Sequence, residues 1–423
     1  MYKKAVLVLM LCSCIAAMAQ EQADVPQQPG DSEVEVKVID CQKELGKIRR
    51  KIRKQGMTSV RCVDIGCAPL SRDYVLNRRM AFEQAEFLAK QEIAKSFQQK
   101  VSSAMAGNSV ESHAGLKASD LEGDATAVAL INRELDKELE AMGIDRNDQE
   151  AVKKAISKVK GTDSFKKRIE IASQAYLIGV SAYASASSKD KVGVLIYSSE
   201  TLRDIASGML SGNIKKYAPG ISVDDYFEAV EENLANTYGV RVMIDENGDP
   251  CLVAFAQREI LTSEDSAVEN AGDAATAMIR EFVGTSVMLK KAEESNRTMV
   301  YLEPVDSTDN KAVATATAEV RKNAMAEAEA IDFSGIEELD SGIIRLPSGD
   351  KIAWAVKYWT PRTATAAAKA HAQGEKQRQV VQQGAAVSGR KPAPVRRPVT
   401  PAARKGRKNL GSEGVSAGVL PAL

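Results

Sequence analysis

The sequence predicts an α+β protein with two related strand-helix-strand-strand domains, an inserted helical pair and disordered termini. The main observation is a repeat, since Ala81-Phe82-Glu83-Gln84-Ala85 is matched 186 residues later by Ala267-Val268-Glu269-Asn270-Ala271. Strand-like runs also lie on either side of each motif, and both end segments have too few large apolar residues to form a core. We interpret the motif as one folding unit that occurs twice; the alternative is a chance alignment of two Ala-rich helices. Three further pairs share the offset: Ala89 and Ala275, Ile93 and Ile279, and Val101 and Val287.

The first 19 residues have the pattern of an export signal. Lys3 and Lys4 precede a short apolar run, and Ala17-Met18-Ala19 is the small-x-small pattern that a signal peptidase cleaves. We therefore expect a periplasmic or outer-membrane-associated protein whose residues 20–36 form a flexible leader. Leu11-Cys12-Ser13-Cys14 also resembles a lipobox, so the alternative is acylation of Cys14, which would attach the protein to a membrane. The apolar run is shorter than the roughly 20 residues of a transmembrane helix.

Residues 37–211 are predicted to form the first domain. It begins with a short basic amphipathic helix around Leu45 and Ile52, which recur at near-helical spacing, and continues with a β-branched, alternating strand at 59–67. A long helix is expected at 73–105, because its alanines recur every four residues and small side chains allow close packing.

The first domain continues with a helical insertion at 116–160. Helices are predicted at 125–142 and 148–159, the second with a capping-box-like start at Asn147 and Glu150. Two strands follow, at 165–184, which is rich in β-forming residues, and at 191–197, which is a compact apolar run. A helix at 199–210 ends the domain.

A Gly- and Pro-containing linker at 212–221 precedes the second domain, 222–361. A helix at 222–239 is followed by strands at 240–244 and 251–255, whose connecting Asn247-Gly248 is typical of a hairpin. The second Ala-rich helix is expected at 264–291, before a hairpin of 343–346 with 351–358.

The two predicted domains also end alike. Asp190-Lys191-Val192 begins the last strand of the first, and Asp350-Lys351-Ile352 begins the last strand of the second. This correspondence extends the repeat beyond one helix, and it predicts the same strand order in residues 59–198 and 240–358.

Charge is distributed unevenly, although the whole chain has 57 basic and 57 acidic residues. Residues 20–361 hold 43 basic and 55 acidic residues, whereas residues 362–423 hold 12 basic and 2 acidic ones. With few large apolar side chains and several prolines, 362–423 is predicted to be a disordered tail.

The basic tail is a candidate contact for an anionic envelope partner, whether a protein, a polymer or a lipid surface. The alternative is a solvated linker that folds back on the acidic body. Nucleic acid is not an expected partner, because an exported protein rarely meets it. The residues proposed for the contact are Arg396, Arg397, Arg404, Lys405, Arg407 and Lys408.

Four cysteines follow the leader: Cys41, Cys62, Cys67 and Cys251. An oxidising compartment permits disulfides, but their pairing stays open. Cys62 and Cys67 would lie about 16 Å apart in an extended strand, whereas a bridge needs Cα atoms within about 7 Å. The C-x-x-C pairs of zinc sites are lacking, so no metal site is predicted.

The run from Arg78 to Ala85, with a predicted strand before it and Ala89 beyond, resembles the Lpp-twenty type of bacterial envelope lipoprotein domain, which also occurs in flagellar accessory proteins. The resemblance covers residues 59–211, with the second half as a diverged copy. It implies a small α+β domain on the cell envelope and no catalytic residues.

The chain offers few residues for catalysis, and no catalytic or cofactor-binding residue is predicted. Its two histidines, His113 and His371, have no obvious nucleophile or carboxylate partner nearby in sequence. Glu83 and Glu269 recur in the two motifs and are interpreted as solvated or capping residues, because separate copies need not face one cleft.

Two further patterns have competing interpretations. Asp245, Asn247 and Asp249 have the alternating spacing of a calcium loop, but Pro250 stands where an EF-hand requires Gly, which favours a hairpin turn. Trp359 is predicted to lie on the strand face opposite the core and is a candidate partner contact; core or domain-edge packing is the alternative.

These observations predict a non-catalytic exported envelope protein that acts as a binding or structural module. The alternative is an envelope hydrolase whose carboxylates converge only in the fold. A closed pocket with three or more convergent polar side chains would favour the hydrolase.

Overall fold

The computed structural model describes residues 40–52, 57–64, 71–107, 115–121, 124–145, 147–187, 191–295, 309–329, 331, 333–345, 350–373 and 414–417. These residues belong to one compact unit, Val38–Leu423. The predicted export signal and leader, Cys67, His113 and the six basic contact residues of the tail lie outside the described residues.

The described chain is α+β, as predicted. The first half contains α1 (Cys41–Ile52), β1 (Met57–Asp64), α2 (Ser71–Ala106), α3 (Ala125–Ala141), α4 (Gln149–Val159), α5 (Asp163–Ala175), β2 (Ser181–Ser187), β3 (Lys191–Ser198) and α6 (Glu200–Ser211). The second half contains α7 (Val223–Glu231), β4 (Gly239–Ile244), β5 (Pro250–Glu259), α8 (Glu264–Glu294), α9 (Asn310–Glu329), β6 (Glu337–Arg345), β7 (Lys351–Trp359), α10 (361–373) and β8 (Gly414–Ala417).

The strands form two antiparallel sheets of four strands each, with the orders β1-β3-β2-β8 and β4-β5-β7-β6. In both, the strand before the long helix, β1 or β5, pairs with the last strand of the repeat, β3 or β7. That last strand also pairs with the strand that precedes it, β2 or β6. The same strand order, β1-β3-β2 and β5-β7-β6, therefore occurs in both halves, as predicted for two related units.

The repeated alanines have the same role in both long helices. Helix α2 packs on β1 and β3, and α8 packs on β5 and β7. A methyl side chain lets a helix backbone approach a sheet closely, which explains why alanine recurs at every fourth position. The buried alanines are Ala81, Ala85 and Ala89 of α2 and Ala267, Ala271 and Ala275 of α8.

Serines of β2 join the two halves. Ser185 Oγ donates to the carbonyl oxygen of Asn236 at 2.7 Å and accepts from Nη2 of Arg241 at 2.9 Å. Ser181 Oγ donates to the carbonyl oxygen of Val240 at 3.1 Å. One hydrophobic core continues across this boundary, with Leu195 from the first half and Ile279 from the second.

The strand predicted at 165–184 is wrong in its first part, which is helix α5. Thr162 caps this helix by accepting from the backbone N of Phe165. Phe165 and Ile169 are buried, whereas Lys166 and Lys167 between them are exposed. This spacing is helical, and the β-forming residues concealed it. Strand β2 begins only at Ser181.

Two smaller corrections concern helix ends. The helix predicted at 222–239 ends at Glu231, and a 3-10 turn at Leu234–Asn236 leads into β4. Helix α4 is capped by Asp148 rather than Asn147, because Oδ1 of Asp148 accepts from the backbone N of Ala151.

The predicted disorder of the tail is corrected at its two described segments. Residues 361–373 form α10, and β8 pairs with β2. Thr360 and Thr363 begin α10 with reciprocal hydrogen bonds between side-chain oxygens and backbone N atoms, at 3.0 and 3.1 Å. The prediction of disorder used the average composition of the 62 residues 362–423, and such an average does not show a local capping signal for a helix.

Candidate functional site between the two halves

A cavity of about 60 Å³ is lined by α2, β4, α8 and α9. We call it the carboxylate cavity, because three glutamates from both halves of the chain converge on it. Its charged and phenolic lining residues are Glu83, Glu86, Lys90, Tyr238, Glu281 and Arg321.

The helices place these groups by simple spacing. Glu83, Glu86 and Lys90 follow one another at three and four residues, so they lie on one face of α2. Arg321 follows the buried Val320 on α9. Glu281 lies on α8 two residues after Ile279, one of the repeated positions.

Arg321 connects the two repeated helices. Its Nη1 lies 2.7 Å from Oε1 of Glu83, and its Nε lies 2.9 Å from Oε2 of Glu281. The hydroxyl of Tyr238 donates to the same oxygen of Glu83 at 2.9 Å. One guanidinium from α9 thereby holds a carboxylate of each half.

Glu86 has its own cation. Nζ of Lys90 lies 2.8 Å from its Oε1, one helical turn away. Burial by itself would raise the pKa of Glu86, but Lys90, with smaller contributions from Arg241 and Arg321, outweighs burial and lowers it. Glu86 is therefore held as a carboxylate at neutral pH.

Glu281 titrates differently. Burial raises its pKa to about 7, although Arg321 opposes this shift, and the neighbouring Glu86 and Glu83 raise it further. Burial and the charge of Glu83 also raise the pKa of Tyr238 well above its ordinary value. Glu281 is thus the group of this cavity that can exchange a proton near pH 7.

The structure brings together only part of what the sequence analysis singled out. Glu83 was predicted to be solvated or capping, but it lies in the carboxylate cavity, paired with Arg321. Glu269 is exposed and does not line the cavity. Glu281 and Arg321 were not predicted, because no local pattern marks ion pairs whose partners lie 40 positions apart, as in Arg321–Glu281, or 238 apart, as in Arg321–Glu83.

The Asp245 turn is a hairpin turn, as predicted. Oδ1 of Asp245 accepts from the backbone N atoms of Asn247 and Asp249, both at 2.8 Å. Nη2 of Arg362 lies 2.5 Å from Oδ2 of Asp245, and its Nε lies 3.1 Å from Oδ2 of Asp249. A cation from α10 therefore occupies the carboxylates. Among the described residues, no group of three or more His, Cys, Asp or Glu is placed to hold a metal ion.

Trp359 is buried, which corrects its predicted role as a surface contact. Its ring stacks on Phe333 with centroids 4.6 Å apart, and its Nε1 donates to the carbonyl oxygen of Ser334 at 3.0 Å. Trp359 is therefore a packing residue, which was the alternative interpretation. The loop before β6 covers the face of β7 that the alternating pattern predicted to be exposed.

The remaining predicted residues lie apart from the cavity. Cys41 and Cys251 are buried, and Cys251 is a free thiol whose pKa burial raises well above its ordinary value. His371 is exposed in α10.

Comparisons with known proteins give two similarities. Residues 124–211, from the N-cap of α3 to the end of α6, match the family model described as Domain of unknown function (DUF6844). The chain is also similar to the crystal structure of hypothetical protein FTT1539c from Francisella tularensis. That similarity has 17% identity and a TM-score of 0.47, and it covers 79% of this chain and 94% of that chain. No curated protein matches the chain.

Within the described part of the chain, no helix has both the length and the apolarity that crossing a bilayer requires.

Proposed function

We propose that this is a non-catalytic, exported cell-envelope protein in which the folded body is a binding or structural module and the basic tail contacts an anionic partner. The observation that carries the proposal is the ion pairing in the carboxylate cavity. Glu83, Glu86 and Glu281 each lie within 2.9 Å of a cation. The two pairs made by Arg321 join α9 to α2 and to α8, and Lys90 neutralises Glu86 within α2. A catalytic acid or base instead needs a carboxyl oxygen that is free to face its substrate.

The size of the cavity supports the same proposal. At about 60 Å³ it is far smaller than the roughly 300–1,000 Å³ of typical ligand pockets. The resemblance of residues 59–211 to Lpp-twenty type envelope domains also agrees with a non-catalytic envelope role. The tail supplies the charge that the acidic body lacks, and contacts made by such a segment weaken as salt increases.

The tail is best tested with its length unchanged. Truncation before Arg362 would remove the cation that holds Asp245 and Asp249, and any truncation before Gly414 would remove β8. We therefore suggest a tail variant in which six cations become Gln: Arg396, Arg397, Arg404, Lys405, Arg407 and Lys408.

The measurement is retention of the exported protein on isolated envelope at low and high salt. Wild type is expected to be retained at low salt and released at high salt, and the tail variant to be released at both. A control variant carries six Gln at exposed cations of the body and should behave as wild type. Equal retention of tail variant and wild type would contradict the tail contact. The control positions are Lys43, Arg49, Arg50, Lys154, Lys158 and Lys167.

Export and lipidation are separable by mass. The intact mass of the mature protein distinguishes cleavage before Gln20 from an acylated chain that begins at Cys14. An intact N-terminus beginning at Met1 would contradict the proposed export.

A second candidate function is the envelope hydrolase, which one observation favours. Three carboxylates, Lys90 and Tyr238 converge on one cavity, and Glu281 has a pKa of about 7, as a general acid requires. Release of soluble fragments from purified peptidoglycan by wild type, but not by Glu281→Gln, would support the hydrolase and overturn the non-catalytic proposal.

A further inference from the structure

A second cleft, of about 450 Å³, lies where the end of β5, the first turns of α8 and Arg79 of α2 meet. We call it the β5–α8 cleft. Its volume is within the range of small-molecule sites. Its polar lining residues are Arg79, Arg258, Glu259, Thr262, Ser266, Asn270 and Asp273, and its apolar lining includes Leu261.

The charges of this cleft are not paired with one another. Among the described residues, Arg79, Arg258, Glu259 and Asp273 have no ion pair within 4.0 Å, in contrast to the glutamates of the carboxylate cavity. Nε of Arg79 and Oε2 of Glu259 are buried without a hydrogen-bond partner. Such groups are costly unless something supplies the missing partner. Arg258 itself donates only to the carbonyl oxygen of Gln257, at 3.0 Å.

The two arginines lie close enough to affect each other. Burial lowers the pKa of Arg258 and the positive charge of Arg79 lowers it further, while Tyr238, Glu83 and Glu259 oppose the shift. Two guanidiniums that line one cleft, with no carboxylate of the described residues within 4.0 Å, can donate parallel hydrogen bonds to a ligand carboxylate.

The same cleft also has lining residues with complementary features. Glu259 and Asp273 present carboxylates that an ammonium group would satisfy. Leu261 is 60% exposed, more than any other large apolar residue in the part of the chain that the structure describes. An apolar ligand side chain would cover it.

We propose that the β5–α8 cleft binds a small zwitterion with an apolar side chain, namely a free amino acid or a dipeptide. The carboxylate contacts Arg79 and Arg258, the ammonium contacts Glu259 and Asp273, and the side chain packs on Leu261. This site is separate from the tail contact and does not depend on it.

The test is isothermal titration of the mature full-length protein with L-leucine and with the dipeptide Leu-Leu. Binding of either is expected. The leucine analogues 4-methylpentanoate and isopentylamine, which each lack one of the two charges, should bind at least about ten-fold more weakly than L-leucine. Arg258→Met and Arg79→Met should each weaken binding about ten-fold or more, and Glu259→Gln by a smaller factor. The matched control is Arg280→Met, which replaces an exposed arginine of α8 that does not line the cleft.

Several results would overturn the proposal. These are no binding of L-leucine or Leu-Leu up to about 10 mM, equal binding of 4-methylpentanoate and L-leucine, or wild-type affinity in Arg258→Met. Thermal melting shows whether each variant folds. If Arg258→Met does not fold, the test uses Arg79→Met and Glu259→Gln instead. Wild-type affinity for the ligand in both of these variants would then overturn the proposed site. Lost dipeptide binding with unchanged envelope retention would separate this site from the tail contact.

Discussion

Arg321 of α9 pairs with Glu281 of α8, its Nε lying 2.9 Å from Oε2 of the carboxylate. The same guanidinium holds Glu83 of α2, so a single side chain joins the long helices of both repeats. The guanidinium of Arg321 comes from neither of the two long helices, α2 and α8, that it joins. The junction therefore depends on α9, which follows the second long helix, and the stability of the junction can be tested residue by residue.

The free energy of unfolding of the wild type should fall as pH rises, because of Glu281, and replacing Glu281 should remove this fall. Because burial raises its pKa from 4.5 to about 7, the folded chain keeps a proton there that the unfolded chain releases between these values. Its contribution to the free energy of unfolding is therefore greatest at low pH and falls as pH rises through about 7. The loss is of the order of 3 kcal/mol. Urea unfolding between about pH 5 and 8 measures it.

Glu281→Gln should lack this loss and be more stable than wild type at about pH 8. Glu269→Gln, an exposed glutamate of the same helix, is the control and should follow the wild-type curve. Parallel pH curves for wild type and Glu281→Gln would contradict the assignment.

Arg321→Met should destabilise the fold by about 2–3 kcal/mol, since it leaves Glu83 and Glu281 without their cation. This is less than the loss of a fully buried cation causes, because the Arg321 side chain is 28% exposed. Chemical denaturation measures the change, with Arg280→Met as a control that should change stability by less than about 0.5 kcal/mol. Adding Glu83→Gln and Glu281→Gln to Arg321→Met should restore part of the stability. A triple variant no more stable than Arg321→Met would argue against the ion pairs.

Ser185→Ala should weaken the contact between β2 and β4. It removes the donor to the Asn236 carbonyl and leaves Nη2 of the buried Arg241 without its acceptor. A loss of about 2 kcal/mol is expected, because unsatisfied buried groups cost about 1–3 kcal/mol. Thermal melting compares it with Ser207→Ala, an exposed helical serine whose replacement should have almost no effect. Equal melting temperatures for the two variants would be inconsistent with the serine contact.

Two glycines of α8 should respond to alanine in opposite directions. A Cβ at Gly284 would lie 1.9 Å from the Ala324 carbonyl oxygen, which is a severe steric clash. Gly284→Ala should therefore push α8 away from α9 and cost about 1–3 kcal/mol or more. A Cβ at Gly272 would meet Lys357 Cε at 3.4 Å, and Gly272→Ala should stabilise the helix by up to about 1 kcal/mol. Urea midpoints measure both changes. Stabilisation by Gly284→Ala would refute this close helix contact.

Much of the fold was predictable because its signals are local. The two long helices, the insertion helices at 125–142 and 148–159, and both hairpins follow from periodicity, capping and turn residues within a few positions. The strand order of the repeat also followed, since two similar units bury similar faces. Helix α9 was not predicted, although Val313, Val320 and Ala324 are buried on one side of it, because an alanine-rich stripe is a weak hydrophobic signal.

Local sequence patterns predicted the α+β fold, two units with the same strand order, and the separation of charge between body and tail. Three outcomes depend on packing in three dimensions: Glu83 meets Arg321, Glu269 remains exposed, and Phe333 covers Trp359. Helix and strand signals act between residues a few positions apart, so they can be read along the chain. Ion pairs and ring contacts join distant segments, and only the packing of helices and sheets determines which of them come together.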